Sequence, residues 1–249
     1  MKSAPGVLLL HGFTSSVQSV NGLVPRLQAR DIPCHLPVLR GHGSRPEELQ
    51  GVIWRDWLED ARHGLFELCG REGRCLVVGL SMGGLLALHL AAEHAPRVAG
   101  VVSLAPCLEF RSPLVRLLGL IQRVRPWWPS SPEYADPELA AFDDNYPRFP
   151  VSAFAQLFAY REVVRDLLPL VRAPLLILAA RRDPVVRPDS ADLILKGVAS
   201  AYKEVRWFDL TKHEMLRDVE REAVAEAVLG FWGRLSAGEF EASPAGVGS

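Results

Sequence analysis

Short, wholly apolar runs alternate along the chain with stretches whose apolar residues recur every third or fourth position. The runs suit strands buried on both faces, and the spaced stretches suit helices lying on a sheet. The pattern predicts strands over 6–10, 34–39, 75–80, 98–105, 174–180 and 202–210. Helices are predicted near 20–30, 54–69, 83–95 and 188–198, with a last one near 215–235. Strand and helix taking turns in this way is the signature of a parallel sheet covered on both faces, an α/β fold.

The helix over 54–69 is the clearest. Trp54, Trp57, Leu58, Ala61, Leu65, Leu68 and Cys69 fall on one stripe, while Arg55, Asp56, Glu59, Asp60 and Arg62 face away. The closing helix repeats this with Leu216, Val219, Ala223, Ala227, Phe231 and Leu235. The alternation fails over 107–168, where no convincing strand is visible and prolines and aromatics crowd "RPWWPSSPEYADPE". A structureless loop of that length is rare, so the segment reads as a lid of short helices inserted after the fourth strand. Residues 1–106 and 169–236 then form the core, and 237–249 have the small-residue composition of a disordered tail.

A composition 49% hydrophobic and 23% charged is that of an ordinary globular protein. The net charge of −1 gives no reason to propose nucleic acid as a partner. Every apolar stretch is interrupted before it could span a bilayer, so stable membrane insertion is not expected. The opening apolar run passes straight into His11 and Gly12; it reads as a first strand rather than a signal peptide, and a cytoplasmic location is the expectation. Cys34, Cys69, Cys75 and Cys107 show no metal-binding spacing and read as buried free thiols, with a Cys69–Cys75 disulfide as the minor alternative.

Against this background one stretch stands out. "LVVGLSMGGLLALHLA", residues 76–91, is almost wholly apolar, yet it carries a serine ringed by glycines. Gly79-Leu80-Ser81-Met82-Gly83 is G-x-S-x-G between a predicted strand and a predicted helix. That turn strains the serine backbone and lifts its hydroxyl clear of the sheet, and the helix N-terminus favours negative charge beside it. A glycine-rich turn without chemistry would show the same letters, but the strand-turn-helix context favours a nucleophile.

A serine needs a base and a group to orient it. Asp183 follows the strand "PLLILAA" and His213 follows the strand that ends at Leu210, so both stand at the C-terminal ends of later strands. Only one histidine follows the lid. Asp209 and Asp189 are the rival acids; the first sits within a strand pattern and the second is better placed to open a helix. An oxyanion hole would take the backbone N–H of Met82 and that of Phe13, in the turn after the first strand. His11 reads as a structural histidine.

The pieces "LLLHGF", "CHLPVLRGHG", "VVGLSMGG", "RRDPVV" and "TKHEML" resemble those of α/β-hydrolases, in particular small bacterial carboxylesterases and monoacylglycerol lipases. The resemblance implies an α/β-hydrolase fold, a triad at Ser81, Asp183 and His213, and an oxyanion hole at Phe13 and Met82. It implies no cofactor and no metal. The lid sequence matches nothing in that family clearly.

Trp127, Trp128, Phe154 and Phe158, with Phe13, would line an apolar pocket over the serine, although such aromatics can equally pack lid against sheet. No arginine or lysine cluster awaits a carboxylate or phosphate. The expected partner is therefore a neutral small-molecule ester with an apolar acyl chain of short to medium length, taken by a monomer or weak homodimer. A thioesterase, amidase or carbon-carbon bond hydrolase, or a binding protein of the same fold, are the alternatives.

Overall fold

The computed structural model describes residues 4–70 and 73–240. The first apolar run forms β1 (Gly6–Leu10), followed by α1 (Gln18–Asn21) and α2 (Val24–Gln28). Next come β2 (Cys34–His35), α3 (Trp54–Cys69), β3 (Cys75–Leu80), α4 (Met82–Glu93) and β4 (Val98–Leu104). A 3-10 turn over Pro113–Leu117 leads into α5 (Leu118–Val124), β5 (Trp127–Pro129), α6 (Pro137–Ala140), β6 (Arg148–Pro150) and α7 (Val151–Leu167). The chain closes with β7 (Leu175–Ala180), α8 (Asp189–Gly197), β8 (Lys203–Phe208) and α9 (Arg221–Ser236).

Six strands make one sheet in the order β2-β1-β3-β4-β7-β8, every neighbouring pair parallel. Because successive side chains point to opposite faces, the unbroken apolar strands feed two cores. Leu8, Leu10 and Val77 join α3, α4 and α7 on one face, while Val7, Leu9, Leu76 and Val78 join α2 and α9 on the other. All six strands run the same way, so the loops after β1, β3, β7 and β8 emerge at one edge, where an open α/β sheet carries its ligands.

Several elements differ from the sequence reading, each for a local reason. The predicted helix over 20–30 is two short helices, because Pro25 opens α2 and cannot continue α1. The strand expected over 34–39 ends at His35; beyond it the backbone N–H of Leu39 leaves the ladder and donates to His11 Nε2 at 3.1 Å. The last helix starts at Arg221 rather than 215, because Asp218 accepts from Lys212 N at 2.7 Å and from Thr211 Oγ1 at 3.1 Å, and Glu220 accepts from Thr211 N at 2.8 Å. These bonds hold 211–220 as a loop.

The segment between β4 and β7, expected to lack strands, contains the antiparallel pair β5–β6. Cys69 and Cys75, favoured as free thiols, form a disulfide: the end of α3 and the start of β3 bring their Cα atoms to 6.1 Å. Cys34 and Cys107 are free. Of the tail expected to be disordered, residues 237–240 pack on the body, with Phe240 4.4 Å from Tyr202 between ring centroids. Residues 241–249 lie outside the described part of the chain.

Candidate active site

Ser81 sits between the last residue of β3 and the first of α4 with φ 54° and ψ −110°, the left-handed half of backbone space that a residue with a Cβ avoids. Its N–H is pinned to Leu104 O on the neighbouring strand at 2.8 Å, which holds the strained turn in place. The glycines are there for space. A Cβ on Gly79 would fall 2.0 Å from Gly83 O, and one on Gly83 would fall 2.2 Å from Leu10 O. Strand, turn and helix thus pass closer than any side chain allows.

The other two expected residues meet. Asp183, three residues beyond β7, places Oδ2 2.7 Å from His213 Nδ1. Its Oδ1 accepts the backbone N–H groups of Val185 and Val186, each at 2.8 Å. A carboxylate is an acceptor, so Nδ1 of the imidazole carries the proton and Nε2 is left as the basic nitrogen. His213 and Ser81 both line a single cavity of about 320 Å³. The rival acids lie elsewhere: Asp209 pairs with Arg181 at 3.0 Å, and Asp189 opens α8 while pairing with Arg187.

His213 is in acidic company. Burial disfavours its charged form, but the carboxylates of Asp183, Glu133 and Glu214 outweigh burial and lift its pKa to about 10. Burial pushes Glu133 up to about 7, against the pull of His213. Glu214 is also raised by burial; one of its oxygens accepts from Asn145 Nδ2 at 2.9 Å. Glu133, Asn145 and Glu214 all line the cavity, and the sequence reading named none of them. Glu214 adjoins His213 in sequence, a signal that could have been used; Glu133 and Asn145 reach the site only through the fold.

Cys107 lies beside Ser81. Burial raises its thiol to about 12, opposed only in part by the Ser81 hydroxyl, so it remains a protonated thiol and not a rival nucleophile.

The β1–α1 turn closes against the serine: a Cβ on Gly12 would stand 3.5 Å from the Cβ of Ser81. His11 pins this turn, with Nδ1 donating to Gly12 O at 2.9 Å and Nε2 accepting from Leu39 N. That bonding requires the neutral ring, and burial lowers its pKa to about 4. Among the described residues, neither the Phe13 N–H nor the Met82 N–H has a hydrogen-bond partner.

The Phe13 ring packs edge-on to His42, Trp57 and Phe149 and lines the cavity. Trp128 and Phe154 line it as well, together with Leu118, Ile121, Phe149 and Leu157. Trp127 and Phe158 do not. Adjacent residues on a strand face opposite ways, so Trp127 turns outward under the Arg148 guanidinium. Phe158, one turn beyond Phe154 on α7, instead lies beneath the Arg161 guanidinium. Among the described residues no group of three or more His, Cys, Asp or Glu side chains could hold a metal ion.

A parallel sheet with a serine at a strained strand-to-helix turn, and an Asp–His pair on later loops of the same edge, is the architecture of an α/β-hydrolase. The chain belongs to the family described as "Serine aminopeptidase, S33", whose model matches residues 2–220. It is similar to a carboxylesterase of Bacillus subtilis (strain 168), 30% identical over 234 residues and 92% of each chain. A thermostable monoacylglycerol lipase of Bacillus sp. (strain H-257) is 28% identical over 92% of this chain and 90% of its own. Among solved structures, one from a study of LipS and LipT, two metagenome-derived lipolytic enzymes, superposes with a TM-score of 0.87 at 31% identity, over 94% of this chain and 95% of that one.

Proposed function

We propose that this chain hydrolyses neutral carboxylic esters of short to medium acyl length through an acyl-enzyme on Ser81. The observation that carries the reading is the Asp183–His213 contact at 2.7 Å, with His213 lining the cavity that Ser81 also lines. In this mechanism His213 Nε2 takes the proton of Ser81 as its oxygen bonds to the ester carbonyl carbon. The N–H groups of Phe13 and Met82, unpaired among the described residues, stabilise the oxyanion that forms. His213 then returns the proton to the leaving alcohol, and water repeats the sequence to release the acid. Asp183 holds the imidazole tautomer throughout.

The wall of the cavity supports the acyl preference. Leu118, Ile121, Trp128, Phe149, Phe154 and Leu157 come from the segment between β4 and β7, which we assign as a lid over 107–168 on a core of 1–106 and 169–236. Closing apolar groups over the ester excludes water and strengthens the oxyanion contacts, and each buried methylene contributes up to about 0.8 kcal/mol. The named relatives, a carboxylesterase and a monoacylglycerol lipase, favour esters, whereas the family description names an aminopeptidase. A panel of p-nitrophenyl esters, monoacylglycerols, acyl-CoA and aminoacyl arylamides tests the assignment. Esters should be turned over fastest, with an optimum at short or medium chains; faster turnover of arylamides or acyl-CoA would overturn it.

A further inference from the structure

The cavity that Ser81 and His213 share is apolar over most of its wall, but it also carries buried acceptors that lack a donor. Glu133, Asn145 and Glu214 line it, and among the described residues no arginine or lysine does. Glu214 is 4% exposed. One of its oxygens accepts from Asn145 Nδ2 at 2.9 Å, while Oε2 has no hydrogen-bond partner, and Asn145 Oδ1 has none either. The charges that act most strongly on Glu133 are those of His213, Asp183, Glu214 and Asp143, of which only the histidine can be positive. Buried acceptors are costly unless donors meet them, so what fits here is a ligand that brings N–H or O–H groups.

The stretch that supplies Glu133 and Asn145 is tied to the core at both ends. Ala135 N donates to both carboxylate oxygens of Asp218, at 3.0 and 2.9 Å, and Tyr146 N donates to Thr14 O at 2.9 Å. Charge then chooses between the kinds of donor. Arg217 acts on Glu214 from a distance, but its guanidinium is already taken by Asp144 and by Phe142 O. The imidazolium of His213 is left to balance the acids, and a histidine acting as base is neutral. At that moment the carboxylates around it lose their counter-charge. A leaving oxygen must reach His213 Nε2 to be protonated, so the leaving group is the part of the substrate that comes nearest to these acids.

We infer that Glu214, Asn145 and Glu133 form a subsite for a protonated amine on the leaving alcohol, which makes amino-alcohol esters a second substrate class beside neutral esters. The inference rests on the acyl-enzyme reading of Ser81. The ammonium N–H donates to Glu214 Oε2, and its charge replaces the one that the imidazolium gives up. The Ser81 oxygen bonds to the carbonyl carbon and the bond from that carbon to the alcohol oxygen breaks. The amino alcohol leaves with the proton that His213 took from Ser81, and the ammonium keeps its own proton throughout. Water then releases the acid from Ser81.

The test compares dimethylaminoethyl butyrate with isoamyl butyrate, which differ only in a protonated nitrogen where the other has a carbon. Calorimetry on Ser81→Ala at about pH 7 reads binding without turnover, and the ammonium ester should bind about tenfold or more tightly. In the parent the ratio of kcat/KM for the two esters should favour the ammonium ester. Glu214→Gln and Glu133→Gln should each cut that ratio about fivefold, and because it is read within one variant a general loss of rate cancels. Both replacements keep the side-chain shape, thermal midpoints report folding, and either variant alone decides the point. Equal or weaker binding of the ammonium ester, or a ratio that survives both substitutions, would overturn the inference and leave the ester reading intact. So would tighter binding of monobutyrin than of the ammonium ester, because the acceptors would then serve hydroxyl groups. Preferential binding to Ser81→Ala with neither ester turned over by the parent would support the subsite and overturn the ester reading instead.

Discussion

Asp183 is gripped on both oxygens: Oδ2 lies 2.7 Å from His213 Nδ1, while Oδ1 accepts from Val185 N and Val186 N at 2.8 Å. A carboxylate can accept on both sides, but an amide of the same size must turn its NH2 toward either the histidine or the two backbone donors. Asp183→Asn therefore loses one of the two arrangements. Turnover of p-nitrophenyl butyrate should fall about a thousandfold or more, with a stability cost on the order of 1–3 kcal/mol by urea unfolding. A variant within about tenfold of the parent in kcat would show that something else orients His213.

The second prediction follows from the acids around the histidine. Negative neighbours favour the imidazolium, and a general base works only when neutral, so the acid limb of kcat/KM should lie above the 6.5 of a free histidine. Glu133 lines the cavity and adds its negative charge to the field at His213. Glu133→Gln removes one of those charges, so the limb should move to lower pH, extending activity into acid, with little change in the plateau. Profiles of both proteins from about pH 5 to 10 decide it. A limb that stays in place or moves up would show that Glu133 does not act on His213.

Much of this arrangement was legible in the sequence, for reasons that can be named. Gly79 reports a steric contact with Gly83 only four residues on, and a local constraint of that kind leaves letters behind, whereas Gly83 answers to Leu10 O of the neighbouring strand β1. Asp183 and His213 were legible because each stands in the loop after a strand of the same sheet, Asp183 after the apolar β7 and His213 after the edge strand β8. Glu133 and Asn145 were not, because they lie in a segment with neither helical nor strand period, and only the long-range fold carries them to His213. The neighbours Trp127 and Trp128 looked equivalent until β5 sent them to opposite sides. The start of α9 was misplaced because Leu216 and Val219 keep helical spacing, while the Asp218 and Glu220 carboxylates satisfy the backbone of a loop instead.

The crowding at the turn gives a stability prediction. Gly83→Ala would press a methyl to within 2.2 Å of Leu10 O, a backbone atom that cannot swing aside, and should destabilise the fold by about 3 kcal/mol or more. Gly230, within α9, has nothing within 4 Å of where its Cβ would stand, so Gly230→Ala should stabilise by about 0.5–1 kcal/mol. Urea midpoints of the two variants measure both. Similar midpoints for the pair would contradict the packing described for the turn.

Trp127 and Trp128 offer a contrast within the acyl wall. Trp128 lines the cavity and Trp127 packs under Arg148 outside it. Trp128→Ala should shift the chain-length optimum toward longer acyl groups, while Trp127→Ala should leave the profile unchanged and lower stability by about 1 kcal/mol, the worth of an exposed cation–π contact. Profiles on a series of p-nitrophenyl esters read out both. Equal shifts from the two would mean that the segment acts through its overall position and not through its lining.

The claim on which the rest depends is that Ser81 is the nucleophile, and covalent labelling tests it without assuming a substrate. A small organophosphate incubated with the folded protein should add once, on the peptide carrying Ser81, as read by intact and peptide mass. The adduct should vanish in Ser81→Ala and form far more slowly in His213→Ala, with Cys107 unlabelled throughout because its thiol is protonated. A single adduct on Ser81 that depends on His213 is the predicted result. No adduct on the active, folded protein, or one that persists in Ser81→Ala, would contradict the account.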